Sequence, residues 1–277
     1  MTAADNGGTA MTRVVTLTTD FGSGSGYVAE LKGRLLQAMT PFTLVDISHD
    51  VPPHDIRAAA WLVGQSCPAF PVGTLHIVVV DPGVGTERQL VWARLGPPQA
   101  HQEFLCPDNG ALTLALKRLP LVAARRIRVP PKASATFHGR DVLAPLAALL
   151  LDGLNPESLG DPLEQLATLC WPAPEKTPTG VQGEVINIDA FGNLVTSLPA
   201  SLLPQIEAAG RLRVGLHEIT TIVRTYGEAM PGAAVALVGS QGFIEVAVVE
   251  GRADKRLGAH IGTPVAFDAP ASEFGPA

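Results

Sequence analysis

A chain of 277 residues, 46% of them hydrophobic, has enough apolar material for one large or two ordinary domains. Its net charge of −6, with 20 Lys plus Arg, no basic run and 5% aromatic residues, argues against a nucleic-acid-binding surface and for a compact small-molecule ligand. Three cysteines at unmatched spacings, Cys67, Cys106 and Cys170, speak against a disulfide framework or a Cys-based metal site and suit a reducing cytoplasm. No membrane anchor is read from the sequence. The opening residues 1–12 lack the apolar core of a signal peptide and are expected to be a disordered lead-in.

In chain order, Val14 to Thr18 reads as a first strand, ending in Thr19-Asp20-Phe21-Gly22 before a helix expected over Tyr27 to about Met39. Gly22, Gly24 and Gly26 have the spacing G-x-G-x-G, not that of a dinucleotide fingerprint. The Asp20-Phe21-Gly22 triplet mimics a kinase motif, but the chain has no partner motifs for it. Phe42 to Ile47 reads as a second strand. It leads into Ser48-His49-Asp50-Val51-Pro52-Pro53-His54-Asp55 and a helix from about Ile56 to Gln65. The two histidines and two aspartates there admit metal ligation; equally, Asp55 reads as the N-cap of the helix that follows.

Leu75 through Val80 is the apolar run of a strand buried in a parallel sheet, stopping at Asp81-Pro82-Gly83-Val84-Gly85-Thr86-Glu87-Arg88. Ligands of open α/β sheets sit beyond such carboxyl ends. The loop carries a carboxylate, two glycines and a cation, although a tight turn with a solvated Arg88 would use the same residues. Gln89 to Leu95, Glu103 to Leu105 and Arg126 to Val129 follow as strands, with Pro107-Asp108-Asn109-Gly110 opening a helix from Ala111 to Arg118. His138 lies just before an apolar helix, Val142 to Leu151, where the positive dipole end favours neutral imidazole. It reads either as a proton acceptor or as a structural histidine.

Residues 153–180 are proline-rich without a clear strand and read as a linker. Short strands follow at Val181 to Asp189, Leu212 to Val214, Thr220 to Val223, Ala233 to Val238 and Phe243 to Val249. The fold class is therefore α/β. An N-terminal Rossmann-like α/β domain is expected over residues 13–172, with the linker from about 153, and a smaller mostly-β domain over 180–277.

Taken together, Thr19-Asp20-Phe21-Gly22, Asp46-Ile47-Ser48-His49, Asp81-Pro82-Gly83-Val84-Gly85, Pro107-Asp108-Asn109-Gly110, Phe137-His138-Gly139-Arg140-Asp141, Asp189-Ala190-Phe191-Gly192-Asn193 and Gly239-Ser240-Gln241-Gly242 resemble the S-adenosyl-L-methionine hydroxide adenosyltransferase family, relatives of fluorinase and chlorinase. The resemblance implies metal-independent hydrolysis of S-adenosyl-L-methionine to adenosine and L-methionine without a cofactor. It also implies a homotrimer whose active sites join one subunit's N-terminal domain to its neighbour's C-terminal domain.

Carried over position by position, the catalytic residues are Asp81, Arg88 and His138. Asp20 would hold the ribose hydroxyls; Asp189, Phe191 and Asn193 would contact adenosine or methionine; Tyr226 would stack on adenine and Ser240 would bind the methionine carboxylate. Two positions depart from the family pattern: Ser25 stands where an acidic residue is common, and Gln241 where the halogenases carry arginine. The halogenases also place tyrosine at the Asp81 position and hydroxyl side chains at those of Val84 and Gly139, so water is the expected nucleophile here.

Activating that water fully, from a pKa of 15.7 to about 7, needs roughly 12 kcal/mol, whereas one cation about 4 Å away supplies on the order of 4 kcal/mol at an effective dielectric of 20. Proton transfer is therefore expected to accompany attack, with His138 as acceptor, Asp81 orienting and Arg88 stabilising the developing charge. Two other classes stay open at this level: a metal-dependent hydrolase using Asp20, His49, Asp81 and His138, and a non-catalytic S-adenosylmethionine or adenosine-binding protein.

Overall fold

The computed structural model describes residues 12–268. The expected lead-in lies outside the described residues, apart from Thr12. The chain divides into two compact units between Leu169 and Cys170.

The first unit holds a mixed sheet of β1 (Arg13–Thr19), β2 (Phe42–Ser48), β3 (Leu75–Val79), β4 (Leu90–Leu95), β5 (Gln102–Pro107) and β6 (Leu121–Ile127), in the order β2-β1-β3-β5-β4-β6. β2, β1, β3 and β5 run parallel, while β4 pairs antiparallel with β5 and β6. All five residues of β3 are buried, as a strand covered on both faces must be. Its alternate side chains serve two cores. Leu75, Ile77 and Val79 join α1 (Gly26–Leu35) and α4 (Ala144–Leu151) on one face. Val78 joins α2 (Ile56–Ser66) and α3 (Thr113–Arg118) on the other.

The order of the strands fixes where a ligand can sit. From β1 the chain crosses to β2 on one side, then returns to place β3 on β1's other side. The carboxyl ends of β1 and β3 thus flank a switch point, where the loops diverge and leave a crevice. Asp20 follows β1 and Asp81 follows β3.

The second unit is built from β7 (Glu175–Thr177), β8 (Gly180–Ile188), β9 (Leu194–Pro199), β10 (Leu212–Val214), β11 (His217–Ile219), β12 (Ala234–Val238), β13 (Phe243–Val248) and β14 (Pro264–Asp268). Its path is β11-β10-β14-β8-β9-β13-β12 with β7 on β8, and the pairings between these named strands are antiparallel. Phe267, Leu198, Ile244 and Val246 anchor its core. Two short helices, α5 (Leu203–Ala209) and α6 (Ala253–Arg256), complete it.

Several elements depart from their sequence reading. α1 stops at Leu35, and Leu36 and Met39, 70% and 86% exposed, are apolar residues outside the helix. β6 begins at Leu121, its first half completing the ladder with β4. The linker contains β7, and the strand placed at Thr220 to Val223 is reduced to an isolated bridge between Ile222 and Ala236 of β12, the neighbouring strand β11 ending at Ile219. β9, β11 and β14 lie outside the expected strands. The helix expected from Val142 starts with a π-turn over Gly139–Leu143 and turns α-helical only at Ala144.

Candidate active site

Three loops meet at the carboxyl end of β3. The loop after β3 turns tightly, with Val84 N–H donating to the Asp81 carbonyl at 3.2 Å and Thr86 N–H to that of Gly83 at 3.1 Å. Gly85 has φ +77° and passes so close to the 134–138 loop that a Cβ would lie 2.5 Å from the Ala135 carbonyl oxygen. Only glycine fits such an approach. The π-turn that follows His138 packs on β3 itself: a Cβ on Gly139 would lie 3.1 Å from Val79 Cγ1. Asn109 Nδ2 donates to the Val80 carbonyl at 2.9 Å and steadies the strand end from the β5 side.

These contacts bring Asp81, Arg88 and His138 into one hydrogen-bonded chain. Arg88 Nε donates to Asp81 Oδ1 at 2.8 Å, and Nη2 donates to Asp81 Oδ2. The same Nη2 lies 2.8 Å from His138 Nδ1. The Asp81 and Arg88 side chains are only 7% and 12% exposed, so the pair is largely shielded from solvent. Arg88 Nη1 is buried with no partner among the described residues, which leaves donor capacity of the guanidinium unsatisfied.

The pattern settles a tautomer. Guanidinium groups only donate, so His138 Nδ1 must accept, and a neutral ring then carries its proton on Nε2. Burial, seconded by the Arg88 charge, pulls the His138 pKa below the ordinary histidine value and favours that neutral form. The lone pair through which His138 was expected to take a proton is therefore already occupied by Arg88.

A cavity of about 350 Å³ opens beside this chain, lined by Asp81, His138, Asp20 and Val84 and by the rings of Phe21, Tyr27 and Phe137. The three rings meet edge to face at centroid distances of 5.2 to 6.0 Å. Asp20 Oδ2 accepts the His54 backbone N–H at 2.9 Å. Neither Val84 nor Gly139 offers a hydroxyl, though Thr136, which the sequence reading missed, does line the cavity.

His49 and His54 take different paths. His49 Nδ1 bonds Thr19 Oγ1 at 2.9 Å and its Nε2 lies 3.1 Å from Asp46 Oδ1, whereas His54 is a cavity residue. Asp55 caps α2 through Ala58 N–H at 2.9 Å. Among the described residues no three His, Cys, Asp or Glu side chains group as a metal site.

The remaining expected residues line a cavity of about 1100 Å³ in the second unit: Asp189, Phe191, Asn193, Tyr226 and Ser240, with Gln241. Asp189 is occupied by its own turn. Its Oδ1 accepts Phe191 N–H and Asn193 N–H, each at 2.9 Å, and its Oδ2 accepts Asn193 Nδ2 at 3.0 Å. The turn holds the Phe191 ring outward, 76% exposed. Arg224, Glu245 and Arg252 share this cavity unannounced by any motif.

In class, the chain joins a mixed α/β unit with a polar, aromatic-walled cleft at its switch point to an antiparallel β unit with its own cavity. It belongs to the SAM hydroxide adenosyltransferase family, matching that family's N-terminal domain over residues 15–160 and its C-terminal domain over 183–266. An (R)-S-adenosyl-L-methionine hydrolase of Thermus thermophilus is 41% identical across 91% of this chain and 98% of its own length. A fluorinase of an Actinoplanes species is 26% identical across 84% and 90%. The crystal structure of an uncharacterized conserved protein from Thermotoga maritima superposes with a TM-score of 0.82 at 32% identity, covering 92% of this chain and 99% of that one.

Proposed function

We propose that this chain hydrolyses S-adenosyl-L-methionine to adenosine and L-methionine by in-line attack of water on the ribose C5′ carbon. The observation that carries the reading is the buried Asp81–Arg88–His138 chain beside the cleft that also presents Asp20. Membership of the family and the Thermus relative's name support the same substrate. The sulfonium is a good leaving group, so the protein's task is to position and deprotonate water.

The base in this reading is Asp81, supported by the hydrogen-bond pattern. Each Asp81 oxygen keeps lone pairs beyond those given to Arg88, so Asp81 takes the water proton, while the His138 Nε2–H donates and orients. Arg88 stabilises the hydroxide-like charge as it develops. Asp20, with Oδ2 held by His54, keeps Oδ1 for ribose hydroxyls. In the second unit Phe191, Asn193, Tyr226 and Ser240 are assigned to adenosine and methionine, and Asp189 to shaping their turn.

The first unit's sheet is Rossmann-like in this reading, supported by its parallel β2-β1-β3-β5 core with helices on both faces. A homotrimer with inter-subunit sites and a cytoplasmic location complete the proposal, the latter supported by three free cysteines.

The test is incubation of purified protein with the substrate. Equimolar adenosine and methionine are expected, undiminished by exhaustive chelation, with no 5′-halo-adenosine when chloride or fluoride is supplied. Binding without turnover would make the chain a sensor, and loss on chelation would make it a metal enzyme.

A further inference from the structure

The second unit's cavity contains a buried acid that no motif accounts for. Glu245 sits on β13, which lies between β9 and β12, with Val195 and Leu237 as its ladder neighbours. It is 8% exposed, and among the described residues it forms no ion pair. Its pKa is raised, first by burial and then by the charge of Asp189. Such a carboxylate is costly to bury unless hydrogen bonds offset its lost hydration.

Its partner is the Tyr226 hydroxyl, which donates to Glu245 Oε1 at 2.5 Å. Tyr226 opens a single 3-10 turn, Tyr226–Glu228, capped by Thr225 Oγ1 on Gly227 N–H at 3.3 Å. The residue is 43% exposed, so packing alone holds the ring weakly, and the hydroxyl bond fixes it from its far end. The first glycine of the Gly239-Ser240-Gln241-Gly242 turn makes room for this arrangement: a Cβ on Gly239 would lie 2.7 Å from Glu245 Oε2.

We infer that Glu245 is a positioning residue, locking the Tyr226 ring as a preformed wall for a flat aromatic group of the ligand. On the proposed function, on which this inference rests, that group is the adenine ring. Fixing the wall before binding removes an ordering cost that would otherwise weaken affinity, and it leaves chemistry at C5′ untouched.

The experiment compares wild type, Tyr226→Phe, Glu245→Leu, Glu245→Gln and the Tyr226→Phe/Glu245→Leu pair in steady-state adenosine release, with circular dichroism confirming the fold. Tyr226→Phe and Glu245→Leu are each expected to raise KM about tenfold with kcat within about twofold, the size of one charge-assisted hydrogen bond. The pair should be no worse than either single change, and Glu245→Gln, which keeps an acceptor, should stay within about threefold of wild type. Phenol absorbance gives a substrate-independent readout. One of the two tyrosines should ionise above the ordinary range in wild type, raised first by burial and then by Glu245, and should ionise at a lower pH in Glu245→Leu.

Unchanged KM in both single variants, fully additive losses, or a fall in kcat alone would overturn the inference. If wild type released no adenosine, the hydrolase reading would fall instead. Adenosine affinity by calorimetry would then decide, and equal affinities of wild type and Tyr226→Phe would overturn the inference.

Discussion

Arg88 does the work of two residues at once, which makes its geometry as important as its charge. It grips both oxygens of Asp81 and still reaches His138 Nδ1 at 2.8 Å. An ammonium group cannot bridge in this way. Arg88→Lys should therefore lower kcat about a hundredfold or more despite retaining the charge, as measured by adenosine release. Loss below threefold would show that charge suffices. His138 adds a pH dependence with a definite sign. Its pKa is lowered, so the neutral, Arg88-accepting ring persists below the ordinary histidine value, and protonation removes the acceptor and sets two cations together. The stability it contributes is present above the unfolded-state pKa of about 6.5 and is lost as pH falls through the lower folded value. The acid limb of kcat/KM should accordingly fall below pH 6.5 and change position in His138→Asn; a limb at or above that pH in wild type would contradict the tautomer.

At the scale of elements, close backbone approaches hold the active loops together alongside the side-chain bonds. Gly85 combines a positive φ with a Cβ position 2.5 Å from the Ala135 carbonyl oxygen. Gly85→Ala must shift one loop, so a stability loss of about 1–3 kcal/mol in denaturant titration is expected, together with a larger fractional loss of kcat than of global stability. Wild-type kcat in that variant would show that the loops adjust freely. The buried run of β3 and its abrupt stop at Asp81 were legible in the sequence, because a strand covered on both faces must be apolar at successive positions. So was the N-cap at Asp55, whereas the gathering of acid, cation and imidazole at one strand end was implied only by the family resemblance. Other features leave no such mark. Leu36 and Met39 prolong an apolar pattern past the true end of α1, Pro204 hides α5 although its first turn tolerates proline, and the π-turn after His138 has no sequence signature. Glu245 was missed because an acid in an apolar strand reads as a solvent-facing position until Tyr226 is seen to bond it.

At the scale of the whole molecule, each unit has its own core and its own cavity, and the proposed assembly makes a distinctive demand on them. If each site takes its catalytic chain from one subunit and its adenosine pocket from the next, damage to the two units should complement across subunits. Asp81→Asn disables the catalytic contribution, and Ser240→Phe, at an exposed turn position, obstructs the second cavity without touching either core. Each homotrimer should be inactive. Unfolding and refolding the two together at equal ratio should restore about a quarter of wild-type activity, since half the sites receive an intact catalytic unit and half of those an intact neighbour. Within a single self-contained chain the same mixture would stay inactive, because every molecule would carry one damaged unit. Sedimentation of wild type as a trimer with an inactive mixture would therefore separate the assembly from the placement of its sites, keeping the first and discarding the second.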